Sequence, residues 1–233
     1  KSLSAEERLA AAQSSDIEQL HETNPLRDGL SESNPQRFRV ERPKSSFASW
    51  YQFFPRSEGA YYGEDGKIVP GNLKTSVAGL ERAAAEGFNI VYLPPIFPIG
   101  VTNRKGRNNS LVAGPNDPGS PFGIGSELGG HDTVDPQLGT MDDFKAFCER
   151  AHELGLEIAL DFALQCSPDH PWVKAHPNWF RTKPDGTIAF AENPPKKYQD
   201  IYPIDFNADM EGIEKEVERI MDLWVKAGVT IFR

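Results

Sequence analysis

The sequence predicts an α/β fold, a (β/α)8 TIM barrel of which it holds only the first half, about four βα units. Nearly all-apolar runs alternate with amphipathic helical segments, which is the pattern of parallel strands covered by helices. Two long excursions, residues 98–139 and 165–208, follow the C-terminal ends of predicted strands, where such barrels carry their binding sites. No G-x-G-x-x-G motif follows a strand, so a barrel is favoured over a doubly wound sheet.

The predicted strands are short aromatic and β-branched runs bounded by Pro and Gly. They cover residues 47–55, 88–97, 156–164 and 229–233. A helix is predicted between successive strands, because apolar residues there recur at helical spacing and a glycine follows each segment. These helices centre on residues 77–84, 144–154 and 213–224. Thr140 with Asp143 predicts a capping box at the start of the second.

A helical appendage is predicted ahead of the barrel. Ser4 with Glu7 and Ser15 with Glu18 both fit the Ser-x-x-Glu capping box, which indicates two short helices. Residues 24–45 are polar with repeated Asn-Pro steps, a composition typical of a loop or linker. The predicted domains are a helical appendage with linker at 1–45 and the N-terminal half of a barrel at 46–233, including the excursion 165–208.

Charge and composition limit the partners. The formal net charge is −9 with no basic stripe, so nucleic acid is excluded as a partner. No run of about 18 apolar residues and no signal-peptide core occurs, which predicts no membrane association and a cytoplasmic location. Cys148 and Cys166 fit free thiols, with a disulfide between them left open. The chain opens on Lys1 and closes on an apolar run at Arg233, so we expect a piece of a longer protein.

A carboxylate lies at the end of the third predicted strand. Asp161 follows an apolar run, where burying its charge is costly unless a cation pairs with it. Arg233, at the exit of the next strand, is the candidate partner. The pair is either a structural ion pair inside the barrel or part of an active site, and the residues alone leave both interpretations open.

Polar side chains follow in the loop beyond. Gln165 and His170 suit a ligand rich in hydroxyls, although a histidine before proline also commonly fixes a turn. His131, Asp132 and Asp135 are metal-ligand types, but a Gly-Gly-His-Asp turn is more often an ordinary loop. We therefore predict no metal and no cofactor.

Two loops combine cations with amides. Lys105 lies in the loop 103–110, which either holds an anion or is a solvated basic loop. Asn193 and Tyr198 lie in a second loop of this kind, 191–200, where a Pro-Pro step stiffens the backbone. Two such loops on one face of a barrel favour a ligand site.

Several segments together resemble the α-amylase superfamily of retaining glycosidases and transglycosylases. Within it they resemble the bacterial maltosyltransferase family, which extends α-1,4-glucans from α-maltose 1-phosphate. The segments, within residues 46–233, are YLPPIFPIG, NRKGRNN, GGHDTVDPQLGT, ALDFALQCSPDHPWV and AENPPKKYQDIYPIDF. Ordinary amylases have an Asn-His pair where this chain has Gln165 and Cys166, and this departure favours the maltosyltransferases.

The resemblance implies roles for particular residues. It places Asp161 and Arg233 in the framework that orients the nucleophile. It assigns the sugar and its phosphate to Lys105, Gln165, Asn193 and Tyr198. The family's nucleophilic aspartate follows the arginine by two residues, and its general acid comes later still. No catalytic residue is therefore assigned within this chain.

The resemblance also implies a reaction. Maltosyl units pass from α-maltose 1-phosphate to the non-reducing end of an α-1,4-glucan by double displacement with retention. We expect the full-length enzyme to be a homodimer and this chain alone to be inactive. The alternatives are an α-glucan hydrolase or trehalose-related enzyme of the same superfamily, and a non-catalytic sugar-binding fragment.

Overall fold

The computed structural model describes residues 3–25 and 27–233. It contains two compact units, Lys1–Arg42 and Pro43–Arg233. Among the helices described, none combines the length and the apolar character needed to cross a membrane.

The first unit is helical. Its helices are α1 (Ala5–Ala12) and α2 (Ser15–Thr23). The capping box predicted for α1 is confirmed, since Glu7 N–H donates to Ser4 Oγ over 3.2 Å and Ser4 N–H donates to the Glu7 carboxylate over 2.8 Å. The box predicted at Ser15 is wrong: Ser14 is the N-cap of α2, and its hydroxyl donates to the carbonyl of Ala11 instead. No described residue of this unit is buried.

The second unit alternates strands and helices. Its strands are β1 (Trp50–Gln52), β2 (Tyr61–Tyr62), β3 (Ile68–Val69), β4 (Ile90–Leu93), β5 (Glu157–Leu160), β6 (Gln165–Cys166), β7 (Ala191–Asn193), β8 (Lys196–Tyr198), β9 (Tyr202–Pro203) and β10 (Ile231–Phe232). Its helices are α3 (Pro43–Ser46), α4 (Val77–Ala85), α5 (Met141–Glu153), α6 (Pro171–Ala175) and α7 (Met210–Lys226).

A parallel sheet forms the centre of this unit, in the order β1-β4-β5-β10. Each of its strands falls within one of the four predicted runs, so the parallel α/β arrangement is confirmed. The strands are shorter than predicted. β4 ends at Leu93 because Pro94 and Pro95 have no N–H to donate to a neighbouring strand.

Three helices cover one face of the sheet. α4, α5 and α7 fall where apolar periodicity predicted helices, and Thr140 forms the predicted capping box with Asp143 at the start of α5. Each helix buries apolar side chains, and Leu80 of α4, Phe144 of α5 and Trp224 of α7 are fully buried. Burying each such side chain stabilises the fold by about 1.5–3 kcal/mol.

The opposite face carries a small second cluster. Ile90, Tyr92 and Ala159 are buried there, with Ile231 packed against them. Because side chains alternate along a strand, Asp161 lies on the same face of the sheet as Ala159, two residues before it.

 The register places Ala159 opposite both Tyr92 and Ile231, so Asp161 and Arg233, each two residues farther along, extend this face at the strand ends.

The excursions after β4 and β5 carry the remaining short strands. β6 pairs with β9 and β7 pairs with β8, both antiparallel, so the second excursion folds back on the strand exit that starts it. A bridge between Ile99 and Ile124 pairs the start of the first excursion with its middle. Most of the predicted linker lacks regular structure, except that α3 begins at Pro43.

Candidate active site

Three side chains meet at the ends of β4, β5 and β10. Asp161 is 3% exposed, and Arg233 Nη1 lies 3.2 Å from its Oδ2. The predicted ion pair is therefore present. Tyr92 joins it: its hydroxyl donates to Asp161 Oδ2 and accepts from Arg233 Nη1 over 3.1 Å. A buried carboxylate with two donors is far less costly than an unpaired one.

Tyr92 remains a hydrogen-bond donor at neutral pH. Burial, followed by the hydrogen bond to Asp161, raises the pKa of Tyr92 to about 12. The sequence analysis did not identify Tyr92 as a site residue. The alternation of side chains along the second predicted strand is the signal that could have placed it on the same face as Asp161.

Lys105 differs from the exposed, flexible cation that a basic loop indicates. It is 4% exposed, and its Nζ donates to Gln199 Oε1 over 2.6 Å and reaches Lys197 O at 3.5 Å. The loop is folded onto the second excursion, where Asn103 Nδ2 also donates to the Gln199 carbonyl over 3.2 Å. Its neighbour Arg104 donates to the backbone carbonyls of Ile99 and Gly100, which precede the loop. The ammonium is thus desolvated and held in place.

The β7–β8 hairpin brings two more predicted residues to this region. Asn193 pairs with Lys196 beside the Pro-Pro step and is exposed, whereas Tyr198 is half-buried. Tyr198 lies between the two residues that contact Lys105, Lys197 and Gln199. The structure therefore brings the two cation-rich loops together, as their residue types predicted.

Gln165 connects the strand exit to the first excursion. It lies four residues after Asp161, and its Nε2 donates to Phe122 O over 2.9 Å. Gly123, the residue after Phe122, lies close to the backbone carbonyl and the carboxylate of Asp200. Asp200 directly follows Gln199 in the chain. Gln165 and Lys105 thus belong to one continuous set of contacts between the two excursions.

Asp200 is a candidate that the sequence analysis missed. It is 5% exposed, and its Oδ1 has no hydrogen-bond partner among the described residues. Burial raises the pKa of Asp200, while the nearby Lys105 ammonium opposes the shift. An unpaired buried acceptor costs about 1–3 kcal/mol, which a hydroxyl of a bound ligand recovers. Its place beside aromatic residues in YQDIY gave no sign of this in the sequence.

His131 and His170 form a hydrogen-bonded pair under the strand exit. His131 Nε2 lies 2.8 Å from the Ala163 carbonyl, which only accepts, so this nitrogen carries the proton. His131 Nδ1 then accepts from His170 Nε2 at 3.0 Å, and His170 Nδ1 accepts from the Trp172 N–H at 3.0 Å. All four ring nitrogens are satisfied with both rings neutral.

This network accounts for His170 as a structural residue. It is the N-cap of α6, which matches the interpretation that a histidine before proline fixes a turn. Cys166 lies close enough for its sulfur and the two rings to form a three-donor group within 4.8 Å. A metal on His170 Nε2 would force a proton onto Nδ1, facing the Trp172 N–H, so the donors present do not fit a metal that binds both rings.

Comparison with known proteins gives a consistent result. The chain is 83% identical over 234 residues to the α-1,4-glucan:maltose-1-phosphate maltosyltransferase of Bifidobacterium longum, covering 100% of this chain and 31% of the relative. The enzyme of the same name from Mycolicibacterium smegmatis is 53% identical, with 97% of this chain and 32% of the relative covered. The resemblance to maltosyltransferases is confirmed. The chain spans about a third of the length of these relatives.

Solved structures agree on the fold. A maltogenic α-amylase from Thermotoga neapolitana is 28% identical with a TM-score of 0.60, covering 80% of this chain and 38% of that one. An α-amylase from Lactobacillus plantarum is 30% identical with a TM-score of 0.55, covering 77% and 35%. These are TIM-barrel enzymes, and the parallel α/β structure matches part of such a barrel. No protein-family model matches the chain.

The candidate site of this chain combines complementary groups. Lys105 supplies a desolvated positive charge, Asp200 a buried acceptor, and Gln165 an amide tied to the first excursion. Such a set can neutralise an anion and bind hydroxyls at the same time. Asp161, which pairs with Arg233, lies four residues before Gln165 in the chain.

Proposed function

We propose that this chain forms part of an enzyme that transfers maltosyl units from α-maltose 1-phosphate to the non-reducing end of α-1,4-glucans, with retention and release of phosphate. The observation that carries the proposal is the buried Lys105 ammonium beside Asp200, in a chain similar along its whole length to maltosyltransferases. A leaving phosphate needs its charge balanced, and its sugar needs acceptors for its hydroxyls.

The proposed donor site assigns a task to each residue. Lys105 exchanges its contact with Gln199 for one with the phosphate, and Asp200 accepts from a sugar hydroxyl. Gln165, Asn193 and Tyr198 complete the contacts to the sugar phosphate. Asp161 and Arg233 form the framework that orients the nucleophile.

The reaction is a double displacement. A carboxylate attacks the anomeric carbon, phosphate leaves with a proton from a general acid, and the glucan 4-hydroxyl then displaces the enzyme. By family resemblance the attacking aspartate comes two residues after Arg233 and the acid later. The proposal therefore treats residues 46–233 as the first half of the catalytic barrel and predicts that the 233-residue chain alone is inactive.

The proposal includes three features that follow from the sequence and the family resemblance. The enzyme is cytoplasmic, it acts as a homodimer, and residues 1–45 belong to the tail of an inserted domain. Sedimentation of a polypeptide with the length of the relatives tests the dimer directly.

The reaction is tested with a polypeptide that contains this chain and has the length of its maltosyltransferase relatives. Incubated with maltose 1-phosphate and a malto-oligosaccharide, it should release phosphate in step with chain growth. The α-amylases among the structural relatives favour one alternative, an α-glucan hydrolase. Reducing sugar formed without dependence on maltose 1-phosphate would establish that alternative.

A matched pair of lysine variants tests the donor site. Lys105→Met removes the buried charge and should lower kcat/KM for maltose 1-phosphate by about 10- to 150-fold, the effect of a lost charged hydrogen bond of about 1.5–3 kcal/mol. Lys145→Met is the control, since Lys145 is exposed on α5 and pairs only locally with Asp142. Equal kinetics in the two variants would remove Lys105 from the site.

A further inference from the structure

Tyr92, Asp161 and Arg233 come from three neighbouring parallel strands. Ala159 of β5 lies opposite Tyr92 of β4 and opposite Ile231 of β10. Asp161 and Arg233 each lie two residues beyond that level on the same face of the sheet, and the Tyr92 hydroxyl reaches both of them. The sheet itself therefore sets their spacing.

Tyr92 contacts both members of the ion pair in two ways. Its hydroxyl donates to Asp161 Oδ2 and accepts from Arg233 Nη1 over 3.1 Å. Its ring lies under the guanidinium, whose central carbon is 5.2 Å from the ring centroid. A hydrogen bond and a cation–π contact to one ring fix the plane of the guanidinium as well as its position.

A guanidinium on a long side chain has several rotamers, so the ion pair with Asp161 alone leaves several orientations open to Arg233. The rigid ring of Tyr92, 7% exposed, is the fixed element of the three.

We propose that Tyr92 is a positioning residue that holds Arg233 and Asp161 in the orientation needed for the reaction. It acts through these two side chains and has no direct contact with substrate. The inference rests on the proposed function only in that Asp161 and Arg233 form the framework of the active site. It predicts a loss of turnover, with donor binding left nearly intact, when the hydroxyl is removed.

The test compares Tyr92→Phe with Tyr51→Phe in the polypeptide of the relatives' length. Tyr51, on the adjacent strand β1, is a matched control because its hydroxyl bonds Arg82 Nε at 3.0 Å, away from Asp161. Tyr92→Phe should lower kcat by up to about 100-fold, the cost of a misplaced catalytic group, with KM for maltose 1-phosphate changed less than about twofold. Tyr51→Phe should keep wild-type kcat and KM.

Each outcome decides the inference. Wild-type kcat in Tyr92→Phe, or a rise in KM with kcat unchanged, overturns the positioning role. If the wild-type polypeptide hydrolyses glucans and does not use maltose 1-phosphate, the proposed function fails, and the same comparison of kcat and KM is made in the hydrolytic reaction. A wild-type polypeptide inactive in both reactions overturns both proposals.

Discussion

His131 and His170 are each held neutral by the protein. Burial lowers the pKa of His131 to about 4, and burial together with the neighbouring His131 lowers that of His170 to about 2. A histidine in the unfolded chain has a pKa near 6.5. The unfolded state therefore binds more protons below that pH. The contribution of the two neutral histidines to stability is fully present above about pH 6.5 and is lost as the pH falls towards 4.

The free energy of unfolding should therefore fall as the pH falls from about 6.5 to 4, by up to about 1.4 kcal/mol per pH unit for each histidine, and the melting temperature should fall with it. His170→Asn should show a shallower slope, because asparagine caps α6 through its side-chain oxygen and does not titrate. Thermal unfolding across this pH range measures both proteins. Identical slopes would contradict the assignment of His170 as a neutral, buried ring.

Single residues differed in how far the sequence could place them. The partner of Asp161 was predictable, because a buried carboxylate requires a cation and Arg233 ends the next strand. Asp200 was not, since its burial depends on two excursions meeting in space. Lys105 was placed in the correct loop, but its desolvation depends on the same meeting.

At the scale of elements, Asp169 joins the first excursion to the strand exit. Its Oδ2 accepts from the N–H groups of Val101 and Thr102, each over 2.7 Å, and its Oδ1 accepts from the Thr102 hydroxyl over 2.6 Å. Three residues farther along that loop is Lys105. Asp169 is therefore the anchor that sets where the loop begins.

Asp169→Ala should free this loop. Losing charged hydrogen bonds worth about 1.5–3 kcal/mol each should speed tryptic cleavage after Lys105 or Arg107 by about tenfold or more. Asp185→Ala is the control, because Asp185 makes the same kinds of bond to Thr187 within one local turn. Mass spectrometry of the timed digests identifies the cleaved bonds. Equal cleavage rates at the loop in the two variants would show that Asp169 does not anchor it.

Elements with strong local signals were predictable, and those that depend on distant partners were not. The three helices on the sheet and the capping boxes at Ser4 and Thr140 follow from neighbouring residues alone. The short strands β6 and β9 pair across the second excursion, and nothing local in Gln165 and Cys166 indicates a strand. Ser15 fitted the capping motif, yet the N-cap of α2 is the residue before it, Ser14.

At the scale of the whole molecule, the sheet has two ends. Within the described residues it stops at β1 on one side and at β10 on the other, and Trp50 of β1 is 43% exposed. The alternation of strands and helices predicted the parallel sheet. The chain matches only 38% and 35% of the two α-amylase chains that it resembles, which indicates why its sheet edges are open here. Unpaired N–H and C=O groups on an exposed edge strand recruit another strand.

The isolated 233-residue chain should therefore self-associate through these edges. Light scattering coupled to size-exclusion chromatography should give a molar mass that rises with protein concentration. Trp50→Lys should reduce the association, because a lysine on an edge strand opposes pairing with a second copy. Ile68→Lys is the control, since it adds the same charge to the separate β2–β3 hairpin, where Ile68 is 52% exposed. A chain that stays monomeric at all concentrations and melts cooperatively would show that the open edges are protected within the 233 residues themselves.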